Sequence, residues 1–522
     1  MKKTKLFATL TVVCLIASAL SGCGGKKEKT VASDIDVTKL GDVNGLELPI
    51  VEDDTEISFL MNTSQANLEN KFFLQKVKEI TGISIKPVVV SDANGQEKLQ
   101  LLAASKQLPD IVRNFLQLSD IDELALNGAL VNITEKLDQM PNLKKLYKET
   151  PENERVFSDY ASSDGNLYLI PAYGIARDVN HLFMYRSDVF EKLGIEPWTD
   201  SESFYQNLKA LKEAYPDSAP FTSKQQFGLF KYFGNQWGYE TDMDKAYDLE
   251  EKKWVYAGVS TNMKKMLDYF KLLYSEGLMD PEFITNTQAN WTAKMTSADK
   301  SFVTFDWVDR MDMFVAQAES TVPGYDLKPG RPIGITGKYM PMDPIGGTSV
   351  FITNNKKSDI SIKLVDFLMS EAGGRLETVG LEGETFEYDE NNKVKYLGFD
   401  EGQSITIKDL EEKYGLFTGG IAMRYNPECV YFQFTPRTQV AQELAVSEDW
   451  MYPLYPRINV SEDTERYNEL FAGLNKAFEE FASKYILGDS STTWEKWIEQ
   501  AKSLGSEEMG EIIRKHSNGQ TR

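Results

Sequence analysis

The residues that most often hold metals, and the thiols that staple secreted folds, are almost missing from this chain. Its 522 residues include three cysteines, Cys14, Cys23 and Cys429, and two histidines, His181 and His516. Two imidazoles are too few for a His-based zinc site. Basic residues are also short, 57 against 79 acidic ones, for a formal net charge of −22. That balance excludes nucleic acid as a partner, since such surfaces need clustered Lys and Arg. It disfavours polyanions as well, unless a local basic pocket overrides the global field. Motifs of phosphate cradles and nucleophiles are absent: no G-x-S-x-G elbow, no H-E-x-x-H, no Walker loop, and no G-x-G-x-x-G after a strand. Carboxylates are so abundant that any local pair is weak evidence for a glycosidase. No repeat or long low-complexity tract is visible.

What is there begins at the N-terminus. Lys2, Lys3 and Lys5 precede an apolar stretch from Leu6 to Leu20, short for a spanning helix, which needs roughly 20 residues. Basic start, apolar centre and small residues form the pattern of a secretory signal. The segment Leu20-Ser21-Gly22-Cys23 resembles the bacterial lipobox, which implies cleavage before Cys23 and a diacylglycerol with further acyl chains, such as palmitate, on that residue. Cys14 then leaves with the signal, and Cys429 stands alone as a small buried hydrophobe with no internal disulfide partner. Residues 23–46 read as a lipidated flexible tether, anchoring the protein to the outer face of a membrane.

Beyond the tether, apolar runs alternate with helical patterns, which predicts an α/β architecture, and the length predicts two or more lobes. "TEISFLM" (Thr55 to Met61) and "ISIKPVVV" (Ile83 to Val90) read as strands around a helix that Gly82 stops. A further helix ends before Pro109, and Ile111 opens a short strand. Residues 262–276 read as a helix with Asn262 as N-cap and Gly277 as stop. Near the C-terminus, Thr492 and Glu495 suggest a capping box that puts Trp494, Trp497, Ile498 and Ala501 on one packing face. "EKKWVYAG" (Glu251 to Gly258) reads as a polar turn and a strand.

Residues 164–204 carry most information. A turn at Asp164-Gly165 leads into an apolar strand, Leu167 to Ile170, broken by Pro171. Tyr173, Arg177 and His181 follow, then the strand "LFMYR" and a helix ending at Gly194. "DGNLYLIP" and "YRSDVFEKLGI" resemble the extracellular solute-binding proteins of ABC importers, carbohydrate-binding family 1, long subgroup. "KQLPDIV" (Lys106 to Val112), "EGLMDPEFIT" (Glu276 to Thr285), "GGTSVFITNNKKSDISIKLVDFLMSEAG" (Gly346 to Gly373), "GLEGETFEY" (Gly380 to Tyr388) and "WEKWIEQAKSLGSEEM" (Trp494 to Met509) are similar to that family in the same order. The resemblance implies a two-lobed, periplasmic-binding-protein-like fold of type II. It implies a signal over 1–22, lobe one from 47–170 and 307–375, lobe two from 171–306 and 376–470, and C-terminal helices over 471–522. One departure stands out: where long members carry a calcium loop, Tyr215 to Gly228 offers only Asp217, so no structural calcium, other metal or cofactor is expected.

The implied function is a non-enzymatic receptor that closes on an oligosaccharide and delivers it to the transmembrane subunits of an ABC permease, acting as a monomer. A sugar site needs aromatic platforms and short polar groups. The candidates are Trp307 with Asp306 at the presumed second crossover, and Tyr173 and Arg177 past the first. Trp237 and Trp291 are further candidates that read equally as core. Asn62 and Asn114 end lobe-one strands, and Arg424 and Tyr425 lie in "IAMRYNPE". A receptor for peptides or other small solutes, a lipid-anchored hydrolase or lyase, and an envelope-assembly lipoprotein remain open readings.

Overall fold

The first predicted strand–helix–strand unit forms as expected in the computed structural model, which describes residues 35–521 apart from 176, 239–242, 391, 401–404, 430–434, 454–456 and 461–462. Residues 1–22 and the proposed lipidation at Cys23 lie outside the described residues. The strands are β1 (Thr55–Asn62), β2 (Ile83–Val90), β3 (Ile111–Arg113), β4 (Ile170–Tyr173), β5 (His181–Arg186), β6 (Phe221–Thr222), β7 (Lys245–Asp248), β8 (Lys253–Tyr256), β9 (Val303–Trp307), β10 (Leu327–Gly330), β11 (Ile345–Ile352), β12 (Phe386–Tyr388) and β13 (Val394–Tyr396). Helix Phe72–Thr81 joins β1 to β2 and stops at Gly82 in the left-handed conformation. β1 and β2 pair in parallel from Thr55↔Ile83.

Two mixed sheets result. The first has the order β2-β1-β3-β11-β4 and the second β10-β5-β9-β6. β4 runs through Pro171 rather than breaking there. Proline lacks an N–H, and an edge strand is where that loss is tolerated; β4 and the Pro87-containing β2 are both edges. Helix Thr261–Ser275 is capped by Ser260, whose hydroxyl accepts from Met263 N–H at 3.1 Å, not by Asn262. Asn262 is buried and its amide donates to the Tyr247 carbonyl at 3.0 Å. Helix Trp494–Ser503 is capped by Thr493 rather than by Thr492.

The cores divide the chain differently from the expected lobe boundaries. One core joins β5, β6 and β9 to residues 441–513. It includes Tyr467, Phe478 and Trp497, so the C-terminal helices are part of lobe two rather than an appendage. A second core joins β1 to β4 and β11 to Phe386, Leu410, Ile421, Met423 and Cys429, so 376–429 packs with lobe one and not lobe two. β9 pairs with β5 and β6, so the chain does not cross back at 306; it does so at 341–345, where Val179 bridges Pro341 and β11 opens. The part of the expected tether that is described is packed: Leu40 and Leu46 are buried against lobe one, and the Asn44 amide donates to Asn142 at 2.9 Å. Cys429 is buried and in no disulfide, its pKa pushed up to about 12 by burial.

Candidate functional site

Two chain crossings, 173–179 and 341–345, lie side by side between the sheets, beside the lobe-one segment 423–425. Tyr173 N–H donates to the Met423 carbonyl at 2.8 Å, and Tyr425 N–H returns to the Tyr173 carbonyl at 2.7 Å. Gly174 N–H donates to Pro344 at 2.7 Å and Met342 N–H to Asp178 at 2.9 Å. Gly174 sits at φ +102°, with the Tyr425 carbonyl oxygen 2.7 Å from the position of any Cβ; only glycine fits without strain. From lobe two, the Gln442 side-chain oxygen accepts from Asp178 N–H at 2.7 Å and Val179 N–H at 3.0 Å. From lobe one, the buried Glu377 carboxyl accepts from the N–H groups of Met423, at 2.8 Å, and Arg424. Burial pushes Glu377 well above the ordinary carboxylate range. Gln442 thus holds the lobe-two end of the first crossing, and Glu377 holds the segment against which its lobe-one end pairs, which makes a hinge defined on both sides.

On the lobe-two side of the hinge, β5 begins where β9 ends, with His181 the register partner of Trp307. Trp307 is 39% exposed, and the Arg310 guanidinium lies 5.3 Å from its ring centroid. The His181 ring stacks on Tyr232 at 4.1 Å with planes 14° apart. Burial, then the charges of Lys224, Arg177 and Arg310, pushes His181 down to about 3, so the imidazole is neutral. Its Nε2 is buried without a partner among the described residues. Asp306 is fully buried, and its oxygens accept from Lys224 at 3.0 Å, Gln225 at 2.7 Å and Trp307 N–H at 2.8 Å. Burial raises its pKa and Lys224 works against that. A carboxylate committed in this way holds the strand end instead of offering two free acceptors to a ligand.

On the lobe-one side, a recess of about 230 Å³ opens at the ends of β3 and β11, lined by Arg113, Asn114, Tyr160 and Gly346 to Ser349. Ligands of open α/β sheets occupy this kind of position, beyond the strand ends. Asn114 is there as expected, although its amide oxygen and nitrogen already serve the Leu116 backbone at 2.9 and 3.1 Å. Asn62 closes β1, its N–H donating to Gly419 at 2.8 Å.

The expected candidates therefore separate. Trp307 is an open platform, and Arg177 lies beside Asp309 and Arg310 on the same side. Tyr173 and Tyr425 are in the hinge, half-buried. Arg424 is also there, its guanidinium donating to Met369 carbonyl at 3.0 Å. Trp237 is 5% exposed and packs on Tyr269. Trp291 is fully buried, its indole N–H donating to Thr304 Oγ1 at 2.9 Å. These two are core residues in this conformation. Arg113, Tyr160, Lys224, Tyr232 and Arg310 were not expected in the site. Arg113 adjoins Asn114 at the same strand end, and that adjacency was the only signal for any of them.

Among the described residues, no group of three or more His, Cys, Asp and Glu side chains is arranged to hold a metal ion, and no helix is long and apolar enough to cross a membrane.

Two sheets, two adjacent crossings among the described residues and strand-end surfaces on both sides define a two-lobed solute-binding protein. The model of the bacterial extracellular solute-binding protein family matches residues 73–376, more than half of the chain, and the chain belongs to that family. The lipoprotein LipO of Bacillus subtilis (strain 168) is 24% identical over 229 residues, 42% of this chain. That match spans 43% of LipO's own length. Among solved structures, the alginate-binding protein AlgQ2 without calcium ion shares the fold at a TM-score of 0.67 and 21% identity, covering 90% of this chain and 98% of that one. The S. pneumoniae ABC-transporter substrate-binding protein FusA in complex with kestose does so at 0.65 and 19%, covering 89% and 98%.

Proposed function

We propose that the protein is the extracytoplasmic receptor of an ABC importer, capturing an oligosaccharide between its lobes and presenting it, uncleaved, to the permease subunits. The observation that carries this reading is Trp307, a large aromatic left open beside the hinge while Trp237 and Trp291 are buried. An exposed indole suits the C–H face of a pyranose, and polar groups around it suit the hydroxyls. Similar solved structures include an alginate-binding protein and a substrate-binding protein in complex with kestose, which supports the same class of cargo.

The mechanism follows from differential affinity. A sugar stacked on Trp307 and reaching the recess at Arg113 and Asn114 touches both lobes only when they close, so it stabilises the closed state. Asp306 is occupied by Lys224 and Gln225, which favours binding over acid–base cleavage. Lipidation at Cys23 would keep the receptor near its permease, and the separation into lobes of 47–174 with 343–429 and of 179–341 with 435–521 is part of the same proposal.

A thermal-shift screen of the purified protein against plant and microbial oligosaccharides tests it, each hit being checked by mass. A ligand at 100 times its dissociation constant adds about 2.7 kcal/mol. A shift with intact sugar is expected; shortened products, or no shift with any glycan, would overturn it.

A further inference from the structure

A loop of lobe two gathers its oxygens around one ammonium group. Helix Gln288–Met295 carries Lys294. Its Nζ donates to both oxygens of Asp280, at 2.9 and 2.7 Å, to Glu282 Oε2 at 2.6 Å and to Asn286 Oδ1 at 2.9 Å. The two carboxylates differ. Glu282 is 58% exposed, so water screens its charge, whereas Asp280 is 2% exposed. Burial alone would raise the Asp280 pKa, but the bonds from Lys294, Thr222 and Asn286 hold it below the ordinary carboxylate value. A buried carboxylate that loses its cation is strongly destabilised, so the loop depends on the ammonium for its place.

The loop reaches the Trp307 platform through β6. Asp280 N–H donates to the Phe221 carbonyl at 2.8 Å, and Asp280 Oδ2 accepts from Thr222 Oγ1 at 2.6 Å. The buried Asn286 side-chain amide donates to the Ser223 carbonyl at 2.9 Å, and the Asn286 backbone carbonyl accepts from Gln226 Nε2 at 3.2 Å. Segment 221–226 is thus held at both ends. Between those ends stand Lys224 and Gln225, the side chains that occupy Asp306 beside Trp307. The lysine's own helix braces β9 a second time: Thr304 Oγ1 accepts from the Trp291 indole and donates to the Thr222 carbonyl at 2.8 Å.

We propose that Lys294 is a positioning residue for the Trp307 platform, its ammonium serving as a built-in cation that fixes loop 280–286 and, through β6, the grip of Lys224 and Gln225 on Asp306. The inference rests on the sugar-receptor reading for its effect on binding, whereas the cage itself can be read without a sugar. Asp280 and Glu282 bring two negative charges to the single positive one of Lys294. Without the ammonium, two carboxylates and an amide oxygen surround a vacant centre, a donor set that suits a calcium ion with water completing its shell.

The test is hydrogen exchange read by mass spectrometry on the full chain in mild detergent. Lys294→Ala is expected to speed exchange at least about tenfold in peptides covering 221–226 and 303–307, and to leave 55–62 and 83–90 in the other lobe unchanged. Millimolar calcium chloride or ethylammonium chloride is expected to reverse that change and to leave the unaltered protein as it was. Lys294→Met keeps the aliphatic stem and fills the centre, so it is expected to show the same local change with no reversal by either cation. Unchanged exchange in both variants, a rise spread evenly over both lobes, or failure of both cations to reverse the Lys294→Ala change overturns the proposal. The oligosaccharide thermal-shift screen is then repeated with Lys294→Ala. Sugars that shift the unaltered protein are expected to shift the variant less unless calcium is present, and an undiminished shift overturns the positioning role. If no sugar shifts the unaltered protein, the receptor reading fails, and the exchange result alone decides the cage.

Discussion

The imidazole of His181 and the indole of Trp307 meet edge to face, ring centroids 6.1 Å apart and planes at 81°, as register partners at the hinge end of β5 and β9. Strand pairing therefore fixes the backing of the open indole, and Tyr232 stacked behind His181 stiffens it. A rigid aromatic surface binds without the entropy cost of ordering a flexible one.

Trp307→Ala is expected to weaken oligosaccharide binding by about 2 kcal/mol, roughly 30-fold, as truncation of an aromatic anchor does. Stability should change by less than about 1 kcal/mol because the ring is partly open to water. Calorimetry and a urea melt on the same preparation read the two effects. A loss of binding that merely tracks a loss of fold would contradict the platform role.

Trp291→Ala reverses that pattern. The side chain is fully buried, packs on Phe314 at 4.6 Å, and donates to Thr304. Its removal should cost about 3–5 kcal/mol through the cavity left behind, plus whatever Thr304 loses. The urea midpoint checks this, and an unchanged midpoint would mean that the indole is not core.

His181 predicts a pH dependence. Its folded pKa, about 3, lies below the ordinary 6.5 because burial and neighbouring cations oppose protonation. The unfolded chain therefore takes up a proton that the folded chain refuses. Stability from this source is complete above about pH 6.5 and is lost as pH falls toward 3, with about 2 kcal/mol gone at about pH 5. His181→Phe, which keeps the stack on Tyr232, should flatten the slope of urea stability over that window. An equal slope in the variant would show that the imidazole is not held neutral.

Gly174→Ala addresses the hinge. A Cβ there lies 2.7 Å from the Tyr425 carbonyl oxygen at a φ of +102°, so the substitution should cost on the order of 1–3 kcal/mol. The first crossing and the segment at Tyr425 should also shift apart, seen as lower urea stability together with weaker ligand binding. A neutral outcome would imply that the first crossing and the segment at Tyr425 are not in close contact.

The strand–helix–strand start and the order of elements were legible because each depends on local spacing: Phe73, Val77 and Ile80 share a helix face and are buried together. Family likeness was legible for the same reason, through short runs such as "YRSDVFEKLGI". The second crossing was not, since "VTFDW" is an equally good strand in either sheet, and only its pairing with His181–Tyr185 and Phe221–Thr222 assigns it. Trp307 stood out over Trp237 and Trp291 by following a short apolar strand; which of the three faces water depends on neighbours distant along the chain. Trp291 did carry one local sign of burial, Met295 four residues on, buried on the same helix face. Lys224, Tyr232 and Arg310 had no such sign, because their meeting with Trp307 is wholly tertiary.

The central claim is capture between two lobes, and small-angle X-ray scattering of the protein with and without a saturating oligosaccharide tests it most directly. The account predicts that the radius of gyration falls when the sugar is added, and that Trp307→Ala at the same sugar concentration remains at the unliganded value. A saturated protein whose radius does not change would contradict closure on the ligand.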